Sequence, residues 1–155
     1  MLAVFIENLL EEYAVIRPCL SIFFLALLTG CATGYQGAGL TGGHFQRHGP
    51  GPLEKITFSG NGFVDAVTIQ KYALYRCAEA AKEKGKKYFV IYDTLVAAST
   101  GKAASLPNIG SIGNKPIAFA FVLMLDAPQD GTMETSKVLK ELDTFVKQKN
   151  GQLKS

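Results

Sequence analysis

The chain has 155 residues, 48% of them hydrophobic and 19% charged, and a formal net charge of +3. That length fits a single domain with one core. Its lysines are spread along helix ends and faces, with no arginine cluster and no interleaved aromatics, which argues against nucleic acid as a partner.

The apolar run over 20–28 ends in Leu28-Thr29-Gly30-Cys31. A leucine, two small residues and a cysteine resemble the lipobox of bacterial lipoproteins. The resemblance implies a signal peptide over 1–30, cleavage between Gly30 and Cys31, and acylation of Cys31 with palmitate-type chains. Processing would leave 125 residues with 15 Lys/Arg against 10 Asp/Glu, a net charge of +5. Such a balance attracts acidic headgroups only weakly. Of the three cysteines, Cys19 leaves with the signal and Cys31 is consumed by lipid. Cys77 is then the one free thiol, and no intramolecular disulfide can form.

Residues 1–13 carry Glu7, Glu11 and Glu12 and no base, whereas an export signal opens with positive charge. We therefore expect translation to start near Val15. The competing reading is a retained membrane anchor. Residues 18–30 number only 13, against the roughly 20 apolar residues a spanning helix needs, and extension back to Tyr13 would bury Arg17.

Nine of the sixteen glycines fall between Cys31 and Gly62. Glycine-rich chain has little to bury and much entropy to lose, so 31–52 is expected to be a lipidated tether ahead of a domain over 53–155. Within it, 41–47 could form a short strand closed by Gly49-Pro50-Gly51-Pro52. Residues 53–59 alternate as a strand, with Ile56 and Phe58 on one face. Asp65 is placed to cap a helix running to about Lys84, with Ile69, Ala73, Cys77 and Ala80 as its apolar stripe and Gly85 as its stop. Residues 88–96 read as a strand, 97–116 as a long connection or flap, and 117–125 as a doubly buried central strand. Thr132 or a neighbour would cap a last amphipathic helix that turns Val138, Leu139, Leu142, Phe145 and Val146 inward, with Asn150-Gly151 at its end. The order β, α, β, β, α predicts an α+β two-layer sandwich: a small, mainly antiparallel sheet with two helices on one face.

Gly34-Tyr35-Gln36, Thr41-Gly42-Gly43, Phe58-Ser59-Gly60-Asn61-Gly62, Tyr72-Ala73-Leu74-Tyr75-Arg76 and Gly85-Lys86-Lys87-Tyr88-Phe89 resemble a group of small uncharacterised proteobacterial lipoproteins. The likeness covers 31–91 and is looser beyond. It implies location and domain type and carries over no catalytic residue. His44 stands where the pattern has Tyr, and Cys77 where it has Ala. A weaker likeness, of architecture alone, is to small α+β stress-sensor lipoproteins of the outer membrane, which rely on disulfides that this chain lacks.

No nucleophile motif and no P-loop is present, and no cofactor is expected. His44 and His48 are spaced i, i+4 in a glycine-rich segment without nearby ligands, so no metal site is expected. Cys77 on the apolar stripe reads as packing. Glu79 and Glu83 read as solvated helix support beside Lys82 and Lys86, and Gly60-Asn61-Gly62 as a strand terminator. Asp93 interrupts an apolar strand and points inward or outward according to register. If inward it needs a partner, and Arg76 is the candidate, so Arg76 and Asp93 form the one candidate polar site.

The expected function is a non-enzymatic binding or scaffolding role for a lipid-anchored envelope protein. The membrane partner acts through Cys31, and the functional partner is another envelope component. Ala32 after the cysteine resembles the outer-membrane sorting pattern, which gives the periplasmic leaflet of the outer membrane as the location. The alternative is an envelope enzyme or ligand sensor with a site at Arg76 and Asp93 under the 97–116 loop.

Overall fold

The computed structural model describes residues 33–152. The expected signal peptide, the lipobox, the translation start and Cys31 lie outside them. The chain divides into two units, Met1–Cys31 and Ala32–Ser155, and the fold is that of the second. It is α+β, an open antiparallel sheet of six strands with three helices.

Strands β1 (Gly43–His48) and β2 (Glu54–Ser59) form a hairpin in the register Gly43↔Ser59 to His48↔Glu54. Helix α1 (Ala66–Glu83) crosses over the sheet to β3 (Tyr88–Tyr92). Short helix α2 (Leu95–Ser99), β4 (Asn108–Ile112), β5 (Lys115–Leu125), β6 (Met133–Glu134) and helix α3 (Thr135–Gln152) follow. The strand order is β1-β2-β5-β3-β6, and β4 shares β5's free edge with β3. β4 takes 115–119 and β3 takes 121–125. The eleven-residue β5 is thus the central strand, as its apolar run predicts.

Strand alternation puts Ile56, Phe58, Phe89, Ile91, Ala118, Ala120 and Val122 on one face, where they pack under α1 against Ile69, Tyr72, Ala73 and Cys77. Helix α3 lies beside α1 and adds Val138 and Val146 to the same layer. Small residues along α1 and β5 allow this close helix-on-sheet contact, and the fully buried positions include Ala73, Ala78, Ala80, Ala118 and Ala120. The other face is covered only in part. Ala97 of α2 packs there with Val90, Tyr92 and Phe121, while the Lys55 ammonium lies 5.3 Å from the Phe119 ring centre and 5.5 Å from that of Phe121.

Local chemistry sets the element ends. Asp65 caps α1 by accepting from the Thr68 amide at 2.8 Å and the Thr68 hydroxyl at 2.7 Å. Gly85, at φ +68°, closes the helix with its own amide on Lys82 O (2.9 Å) and the Lys86 amide on Ala81 O (2.8 Å). This is the paired bonding of a left-handed helix stop.

Four expectations are corrected. The strand expected over 88–96 stops at Tyr92, because Thr94 turns the chain into α2 by accepting from the Ala97 amide at 3.0 Å. The 97–116 segment is not a flap: it holds the end of α2, a bridge from Ala104 to Ile91, and β4. Asn150 and Gly151, expected to end the last helix, lie within α3, which runs to Gln152 from Thr135, whose amide and hydroxyl bind Lys87 O and Lys86 O. The described part of the expected 31–52 tether is folded onto the domain. It contains β1, and Thr33 is fully buried. Among the described residues no helix is long and apolar enough to cross a membrane.

Candidate functional site

Helical spacing brings Tyr72, Tyr75, Arg76, Glu79 and Glu83 toward one side of α1, facing β1 and the segment before it. Arg76, with a side chain 11% exposed, is the centre. Its Nη1 donates to Glu83 Oε1 at 2.6 Å and to Glu79 Oε2 at 3.3 Å. Nη2 donates to Glu83 Oε2 at 2.8 Å and to Gln46 Oε1 at 2.9 Å. The paired bonds to Glu83 are the fork geometry in which guanidinium and carboxylate bind most strongly. Hydrogen bonding to Glu83 raises the Arg76 pKa further, and Arg76 in turn holds the Glu83 carboxyl below its ordinary value.

Tyr35 completes the cluster from the glycine-rich segment. Its hydroxyl donates to Glu79 Oε2, and its ring packs against His44, Phe58, Tyr72 and Tyr75 at 5.1–5.8 Å between centres. The Asn150 side chain pairs with the Tyr35 backbone like a strand neighbour, accepting from its amide at 2.6 Å and donating to its carbonyl at 3.3 Å. Burial, then the bond to Glu79, pushes the Tyr35 hydroxyl pKa up. Burial, then the charge of Arg76, pulls the His44 imidazole down. One guanidinium therefore joins α1 to β1 directly and to the N-terminal segment through Glu79 and Tyr35, and both of its terminal nitrogens are occupied by protein acceptors. Such a group clamps elements together and leaves those nitrogens satisfied within the fold.

Asp93 is elsewhere. It follows the last residue of β3 and lines a separate hollow of about 570 Å³ with Gln70, Lys102 and Asn108. The expected Arg76–Asp93 pair is thus corrected: Arg76 has two nearer carboxylates on its own helix. Glu79 and Glu83, expected as solvated support for lysines, are those carboxylates. Cys77 is fully buried in the helix–sheet core, and burial pushes its thiol up to about 12. His44 belongs to the aromatic cluster, while His48 Nδ1 lies 3.1 Å from Glu54 Oε1. Among the described residues no group of three or more His, Cys, Asp or Glu is arranged to hold a metal ion.

Sequence reasoning missed three positions. Glu54, 5% exposed, pairs with Lys84 at the far end of α1. Its burial opposes ionisation, but the Lys84 bond and charge, with His48, outweigh it and hold the carboxyl below the ordinary range. Thr33 binds Asn61 twice, its amide to Oδ1 at 3.3 Å and its hydroxyl from the Asn61 amide at 2.8 Å. The Thr33 hydroxyl also donates to Thr41 O. Gln46, from β1, is the third. A shallow groove of about 800 Å³ between α1 and α3 borders the cluster, with Tyr75, Glu79, Lys140 and Asp143 among its walls.

Compared with family models, curated proteins and solved structures, the chain matches none.

Proposed function

We propose that this is a lipid-anchored envelope protein, acylated on Cys31 after cleavage behind Gly30 and held on the periplasmic leaflet of the outer membrane. Its α+β domain acts by binding or scaffolding another envelope component, without catalysis. The observation that carries this reading is that the domain's own hydrogen bonds reach to Thr33. Thr33, two residues beyond the lipobox cysteine, is already buried and hydrogen-bonded to Asn61 and Thr41. A cleavage before Cys31 would leave Thr33 and these bonds with the domain. Several acyl chains give far firmer attachment than the marginal binding of one, and confinement to a surface raises the effective concentration of a partner there.

The polar constellations also favour binding over chemistry. The terminal nitrogens of Arg76 are taken up by Glu79, Glu83 and Gln46, its buried Nε faces no acceptor among the described residues, and the carboxylate proposed to work with it lines a different hollow. An enzyme or sensor built on Arg76 and Asp93 would need those groups to converge. Detergent-phase partition of chains beginning at residue 31 tests the anchor: the native protein should enter the detergent phase, and a Cys31→Ser chain produced without residues 1–30 should stay in the aqueous phase. Equal partition of the two would overturn the proposal.

A further inference from the structure

We propose that the end of the domain nearest Cys31 is a membrane-docking face, on which Leu40, Phe63, Val67 and Ile112 sit among the lipid headgroups. This rests on the lipid-anchor reading. β1 starts, β2 ends and β5 starts at this end, as the pairs Gly43↔Ser59 and Ser59↔Ile117 require. The β4–β5 hairpin projects past it, with Ile112 opposite Lys115, while Gly60 N binds Pro116 O at 2.9 Å. Leu40 lies in the turn from Gly39 to Gly42, and the Gly42 backbone is packed on Ser59 O. Phe63 donates its amide to Asn61 Oδ1 at 3.1 Å, and Val67 is in the first turn of α1.

Leu40, Phe63, Val67 and Ile112 are 105%, 68%, 57% and 70% exposed. Large apolar side chains this open, gathered at one end of the domain, mark a surface that meets a partner or a bilayer. The chain decides between them. Thr33 is fixed to Asn61 and Thr41 on this same end, and two residues of extended chain reach at most about 7 Å. An acylated Cys31 therefore draws this end, and no other, down to the interface. Lys115 begins the projecting strand, and Lys149 lies near the α1 cap, close enough to Asp65 to lower its pKa. Both are placed to meet anionic headgroups, while the Asp65 carboxylate is engaged by Thr68.

The chain contains no tryptophan, so a single introduced one reports depth. Full-length Phe63→Trp, Leu40→Trp and Gln129→Trp proteins would be purified from membranes. Their acyl mass would be checked, and they would be reconstituted into phosphatidylethanolamine/phosphatidylglycerol vesicles with brominated acyl chains. Gln129 is in the exposed turn beyond the other end of β5, roughly 30 Å away at about 3.3 Å per residue. Interfacial insertion of about 5–10 Å should quench Phe63→Trp and Leu40→Trp at least about two-fold while sparing Gln129→Trp. Acylated protein in which all three are equally unquenched overturns the docking face and leaves the anchor standing. Protein without acyl mass and without quenching overturns both. A blue-shifted Phe63→Trp emission that bromolipid does not quench means that protein, a second copy included, covers the face, and also overturns the proposal.

Discussion

The Tyr72 hydroxyl is sealed in the core without a hydrogen-bond partner among the described residues, in a side chain that is fully buried. An unpaired buried hydroxyl costs about 1–3 kcal/mol, and burial raises its pKa to about 12. Tyr72→Phe keeps the ring contacts with Tyr35, Phe58 and Phe145 and removes that cost. The expected result in urea unfolding is unchanged or higher stability, by up to about 1 kcal/mol; a loss of similar size would reveal a partner for the hydroxyl. Arg76 behaves oppositely. Arg76→Met should lower stability by about 2 kcal/mol, the scale of charge-assisted bonds lost together. Combined with Glu79→Gln, part of that loss should return, because one of the stranded carboxylates is gone. Additive losses in that double-mutant comparison would show that the cluster is not coupled.

At the scale of elements, the helix ends and the central strand could be read directly. Asp65, Gly85 and the apolar 117–125 run each act through local chemistry, and local chemistry is what a sequence displays. The 31–52 segment could not be read so, since glycine marks both flexible chain and tight approach. Gly42 (φ +112°) and Gly43 (φ +127°) are of the second kind, and a Cβ on Gly42 would stand 2.2 Å from Ser59 O. Gly42→Ala should cost more than about 2 kcal/mol, from the strained backbone and the clash together, while Asp65→Ala should cost about 1 kcal/mol through its cap. Thermal unfolding of the two variants checks the order, and a Gly42→Ala protein as stable as the native one would return the segment to a tether. The polar site escaped notice because Tyr35, Gln46 and Arg76 come together only after β1 pairs with β2 and α1 crosses over. Once a strand was expected through Asp93, strand alternation favoured the wrong partner for Arg76.

At the scale of the whole molecule, the perturbed groups combine into one pH response. Glu83 and Asp65 are lowered by their hydrogen bonds to Arg76 and Thr68, and Glu54 by Lys84 against its own burial. The unfolded chain therefore binds protons more readily than the fold in acid, and stability falls as pH drops through the folded pKa values of these carboxylates. His44, lowered by burial and by Arg76, adds a shallower loss that begins as pH falls through about 6.5, where the unfolded imidazole takes up its proton first. Melting temperature should thus be level only between about pH 7 and about pH 8, decline gently to about pH 5 and drop below about pH 4. It should fall again above about pH 9, where the unfolded chain gives up the Cys77, Tyr35 and Tyr72 protons that burial holds in the fold. Glu83→Gln should flatten the acid limb. A melting temperature that rises on acidification below about pH 7 would contradict the assigned shifts.

The lipid anchor is the central claim, and intact mass addresses it most directly. Protein purified from the membrane fraction should begin at Cys31 and carry added acyl mass, while a Cys31→Ser version should carry none. An unacylated chain that retains 17–30 would contradict the anchor, the location and the docking face together.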